Sequence, residues 1–118
     1  MNENKIVPNL WFNADGGSIS KVIEYYRNIF SKDLSHGKIV PLGDTPSGKT
    51  EMCEATIFGQ KYVLMNTAKE HHSLNDAVSF IIYCEDQSEI DKYWDYFTFE
   101  GKESQCGWCI DKYGLRWQ

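Results

Sequence analysis

No apolar run in this sequence approaches the roughly 20 residues of a membrane-spanning helix, and nothing in it reads as a membrane protein. The amino terminus, Met1-Asn2-Glu3-Asn4-Lys5, lacks the apolar core of a secretory signal. The expected compartment is the cytoplasm, where Cys53, Cys84, Cys106 and Cys109 are expected as free thiols. Basic residues are scarce as well: 12 Lys and Arg stand against 17 Asp and Glu, for a formal net charge of -5. Phosphate backbones need a basic surface, so nucleic acid is not an expected partner, whereas a cationic ligand is compatible. What is present suits a globular fold. Over 118 residues, 42% are hydrophobic and 14% aromatic, enough for one domain with a real core but not for two independent ones.

The chain reads as one unit and then a second copy of it. Residues 6–12 form a first strand, Asp15-Gly16-Gly17-Ser18 breaks it and offers a helix cap, and Ile19, Val22, Ile23, Tyr26 and Phe30 recur at helical spacing up to about Ser31. A short strand at 38–40, a Pro/Gly loop at 41–49, and two strands at 51–58 and 61–66 joined at Gly59-Gln60 complete the unit, and 67–76 is a polar loop. The order then restarts. Residues 80–84 are a β run, Asp86 caps a helix with Glu89 three positions on, and its stripe is Ile90, Tyr93, Trp94 and Phe97, expected in the core. A shift of 71 positions lays Asp15 on Asp86, Ile19 on Ile90, Val22 on Tyr93, Ile23 on Trp94 and Tyr26 on Phe97. At the end, Asp111-Lys112-Tyr113-Gly114 is a turn between two β-prone runs, which makes a hairpin whose last strand, residues 115–118, must pair elsewhere in the molecule.

These residues resemble a known family. Leu10-Trp11-Phe12, Asn75-Asp76-Ala77-Val78-Ser79-Phe80, Cys84-Glu85-Asp86-Gln87, Asp91-Lys92-Tyr93-Trp94, Gln105-Cys106-Gly107-Trp108 and the run from Asp111 to Gln118 are similar to the PhnB-like branch of the vicinal oxygen chelate superfamily, which includes glyoxalase I, extradiol dioxygenases and bleomycin-resistance proteins. The resemblance covers nearly the whole chain. It implies an α+β fold, two βαβββ modules forming a curled mixed sheet around a cup, within one domain over 1–118 (modules at about 5–66 and 77–118). It also implies a homodimer. Members of the branch often carry the label of a ubiquinone-pathway methyltransferase, but no glycine-rich strand-to-helix loop suited to S-adenosylmethionine stands out here.

Enzymes of the superfamily hold a divalent metal with His, Glu or Gln from the first and last strands of each module. Those positions fall here on Pro8 or Asn9, Met65 or Asn66, Ser79 or Phe80, and Gln118. Only Gln118 is a plausible ligand, because hard or borderline cations need close nitrogen or oxygen donors. No metal and no cofactor are therefore expected. The cup is expected to be lined by Trp11, Glu54, Met65, Phe80, Trp108, Arg116 and Gln118, an aromatic pocket with a few polar groups that suits a small organic molecule. Glu54 and Arg116 have an equally plain alternative as exposed or paired charges. The main reading is a metal-independent small-molecule binding protein; the alternative is a metal-dependent lyase, isomerase or dioxygenase using Gln118.

Three further motifs have bland readings beside their functional ones. Cys106-Gly107-Trp108-Cys109 has redox or zinc spacing, yet residues three apart on a strand face opposite ways and no second such pair exists, so two free thiols on a hairpin are expected. Gly43-Asp44-Thr45-Pro46-Ser47-Gly48-Lys49-Thr50 matches a phosphate-binding loop letter for letter, but residues 51–58 read as a strand, not the helix that such a loop requires. His71 and His72 read as a solvated loop pair, or as a proton relay over the cup mouth. His36 reads as surface.

Overall fold

Alternating apolar and polar residues on the strands and one apolar stripe on each helix produce, in a computed structural model, two units of the same topology. The structure describes residues 5–12, 18–46, 48–67 and 73–118. The units are Met1–His72 and Ser73–Gln118.

The first unit begins with β1 (Asn9–Phe12), followed by α1 (Ile19–Phe30) and a single 3-10 turn. Four strands follow: β2 (Leu34–His36), β3 (Val40–Thr45), β4 (Gly48–Ile57) and β5 (Gln60–Thr67). The sheet order is β1-β5-β4-β2, with β3 also on β4; β1 runs parallel to β5 and the other pairs are antiparallel. Leu64, Cys53, Ala55 and Phe12 send buried side chains to one face, where Ile19, Val22, Ile23, Tyr26 and Phe30 of α1 meet them. The expected stripe is thus the buried one, and Phe12 lies 6.2 Å from Tyr26, ring centre to ring centre.

Asp15 to Gly17 lie outside the described residues; Ser18, within the expected capping segment, is the N-cap of α1, but its side chain makes no capping bond. Instead Glu51, on the helix-facing side of β4, accepts a hydrogen bond from the Ile19 amide at 3.1 Å. A carboxylate there satisfies an otherwise orphaned donor and meets the positive end of the helix dipole.

The expected strand at 38–40 lies at Leu34–His36, and the expected loop at 41–49 is largely strand β3 and the start of β4. Pro41 is tolerated because β3 pairs with β4 alone, and the register shifts between Pro41 and Asp44, where Gly43 has φ of 69°. Thr45 pairs with Gly48 and Asp44 with Lys49, so the phosphate-loop motif is a β-hairpin leading into a strand, as its context foretold. His36 is exposed, on β2 instead of near the helix end.

The second unit repeats the scheme in shorter strands: β6 (Ser79–Phe80), α2 (Gln87–Phe99), β7 (Lys102–Glu103), β8 (Cys109–Ile110) and β9 (Arg116–Trp117). Its order is β6-β9-β8-β7, again with the first strand parallel to the last. Asp86 caps α2 as expected, its carboxylate accepting from the Glu89 amide at 2.9 Å. Of residues 80–84, expected as a strand, only Phe80 falls in β6, although the pairing continues past it, with Gln118 N donating to Phe80 O and Ile82 N to Gln118 O. On α2, Tyr93 and Phe97 are buried, but Trp94 is only half-buried and Ile90 is 46% exposed, which corrects the expectation that the whole stripe is core. The core of this unit is the stack of Phe97 on Trp117, 4.7 Å apart with 5° between ring planes.

Candidate functional site

The face of the first sheet turned away from α1 brings together three of the expected lining residues. β-Strand alternation sends Trp11, Met65, Met52 and Glu54 to that face, and the register sets Trp11 opposite Met65 and Met65 opposite Met52. Glu54 stands opposite Val63, one step along the same face, and Asn9 stands on Val63's other side. Trp11 and Met65 are half-buried and Glu54 is exposed. Asn9 Nδ2 donates to Met65 Sδ at 3.3 Å. The result is an apolar row carrying one carboxylate and one amide, with Lys61 opposite Thr56 at its far end.

The second unit separates the remaining candidates. Phe80 pairs with Trp117 and packs edge-on against its indole at 5.5 Å, which puts it on the face of the Trp117–Phe97 stack. Arg116 and Gln118 alternate to the other face. Gln118 Nε2 donates to Ser79 Oγ at 2.8 Å. Arg116 answers to its paired-charge reading: Nε donates to Asp76 Oδ1 at 2.8 Å, and Nη1 donates to the carbonyls of Leu74 and Gly114. Its guanidinium pins the segment before β6. Trp108 is half-buried in the turn between β7 and β8, its amide donating to Gln105 O. His71 and His72 lie outside the described residues.

The roles of Glu51, Asp76 and Asp111 are not evident in the sequence. Glu51 had a local signal, a charged residue in phase with the buried Cys53 and Ala55. Asp76 had none, because its bond to Arg116 spans 40 positions.

The thiols of Cys53, Cys84 and Cys109 are not activated. Burial, with the Asp111 carboxylate adding to it, pushes the Cys109 thiol up to about 11, and burial raises Cys53 and Cys84 as well. A thiol held protonated is a poor nucleophile and metal ligand. All four cysteines are free.

The residues at the superfamily's metal positions do not fit a divalent cation. Pro8 or Asn9, Met65 or Asn66, Ser79 or Phe80, and Gln118 supply at most amide or hydroxyl oxygens and a thioether, with no imidazole or carboxylate among them. Among the described residues, no three His, Cys, Asp or Glu side chains gather at metal-holding range. S-Adenosylmethionine fares no better at the second strand-to-helix turn: residues 81–86 contain no glycine, and Asp86 already occupies the α2 terminus.

Two modules, each a strand and a helix followed by further strands of which the last runs parallel to the first, have the glyoxalase and bleomycin-resistance type of fold. The chain belongs to the family described as 3-demethylubiquinone-9 3-methyltransferase, whose model matches residues 4–118. Among solved structures it is similar to a putative 3-demethylubiquinone-9 3-methyltransferase, a PhnB protein from Bacillus cereus, with 23% identity, TM-score 0.75, and 97% of this chain and 96% of that one covered. A protein from Pseudomonas aeruginosa matches at 17% identity and TM-score 0.68, over 95% of this chain and 92% of that one. The fosfomycin resistance protein FosX from Listeria monocytogenes matches at 15% identity and TM-score 0.61, over 99% and 89%. A FosX variant was crystallised with Mn(II) and 1S,2S-dihydroxypropylphosphonic acid. At these identities the solved structures speak for the fold alone. No curated protein matches the chain.

Proposed function

We propose that this protein binds a small organic molecule without a metal, as one vicinal oxygen chelate domain over residues 1–118 that works as a cytoplasmic homodimer. The observation that carries this reading is the cross-strand row Trp11, Met65 and Met52 with Glu54 beside it. Such a surface can hold an apolar or aromatic body by contact and one cationic group by charge. The net charge of -5 favours the same ligand class at a distance. A FosX variant was crystallised with Mn(II), but the metal positions that the family resemblance implies here hold no imidazole or carboxylate, and that favours binding over metal-assisted chemistry.

The test is a thermal-shift screen of aromatic cations against their neutral and anionic analogues, followed by calorimetry on the hits. A cation should bind selectively, with Trp11→Ala and Glu54→Gln each weakening it about ten-fold, or roughly 1.4 kcal/mol. Equal binding of anions, or hits indifferent to both substitutions, would remove this face as the site.

A further inference from the structure

On the opposite side of the second sheet, α2 leaves part of its stripe uncovered. Ile90, Tyr93, Trp94 and Phe97, with Ile82 before the helix and Trp117 on β9, wall a cleft of about 250 Å³ within the second unit. We propose that this cleft is a second binding site, for a flat, uncharged aromatic molecule of one or two fused rings.

Three observations select that chemistry. First, no charged side chain lines the cleft, so an ionised ligand would lose its hydration without compensation. Second, Tyr83, Tyr93, Trp94, Phe97 and Trp117 are among the lining residues, and such aromatic walls suit contact with a ring. Third, the indole donors are committed elsewhere: Trp94 Nε1 donates to Glu103 and Trp117 Nε1 to Asp111. The volume sits just below the roughly 300 Å³ at which drug-sized pockets begin, which limits the occupant to a small ring system. This site uses none of Trp11, Met65 or Glu54 and stands independently of the reading above.

The probe is phenyl-naphthylamine, a neutral fluorophore with one N–H, against anilinonaphthalene sulfonate, the same ring system carrying a negative charge. Saturable one-to-one binding of the neutral probe is expected, at least ten-fold tighter than the sulfonate. Ile90→Lys, on a part-exposed helix position, should weaken it at least ten-fold with the thermal melt unchanged, and Ile82→Arg on the facing wall should do the same if the first variant folds poorly. Trp11→Ala should leave it unchanged. Non-saturable binding, equal binding of the sulfonate, indifference to both charged substitutions, or loss in Trp11→Ala would overturn the proposal.

Discussion

Trp117 donates its indole N–H to Asp111 Oδ2 at 2.9 Å, tying the far strand of the terminal hairpin to its own turn. The other carboxylate oxygen accepts from the amides of Tyr113 and Leu115 at 2.9 and 3.0 Å, and Asp111 is only 3% exposed. Asp111→Ala leaves three donors without this acceptor in a buried turn, for a loss of about 3 kcal/mol in urea unfolding. Trp117→Phe keeps the ring stack and forfeits one bond, at about 1 kcal/mol. Near-equal losses from the two would show that the turn does not depend on the carboxylate.

Glu51 performs for α1 the capping that Ser18 does not. Glu51→Ala should cost about 1 kcal/mol and speed amide exchange in the first turn, at Ile19 and its neighbours, while leaving α2 unaffected. Uniform exchange changes in both helices would contradict this local role.

Stability should fall between about pH 9 and 11, and Cys109 should account for a definable part of it. Its thiol is raised from an ordinary 9.0 to about 11 by burial and by Asp111. Below pH 9 the thiol is protonated in both states and its contribution is fully present. Between the two values the unfolded chain releases a proton that the folded chain keeps, so stability declines, by about 3 kcal/mol in total for a two-unit shift. Cys53 and Cys84 act in the same direction. Cys109→Ala should therefore flatten the decline of unfolding free energy over this window, whatever it does to stability at pH 7. An unchanged slope would place the Cys109 thiol in solvent.

The helices and the hairpin turn were legible because their signals are local: 3.6-residue stripes, an acid capping α2 with Glu89 in place, and Gly114 closing a polar turn. The repeated strand-helix-strands order survived as repeated topology. Long-range facts were not legible. Phe80 was grouped with Arg116 and Gln118, but its parallel register against Trp117 puts it on the other face, and register is set between strands, not within one. Arg116 looked like a ligand contact until Asp76, 40 positions away, claimed it. β3 was hidden by Pro41 and Gly43, which read as a loop and are tolerated only because an edge strand with a shifted register can carry them. On the first sheet it is likewise the pairing register that sets Trp11, Met65 and Glu54 on one face.

The central claim, binding without metal, is tested most directly by native mass spectrometry of protein purified without chelator. The account predicts a dimer whose mass contains no stoichiometric transition metal, with any adduct being organic and released on unfolding. One Mn, Fe, Ni or Zn per chain, removed by chelator together with ligand binding, would contradict it.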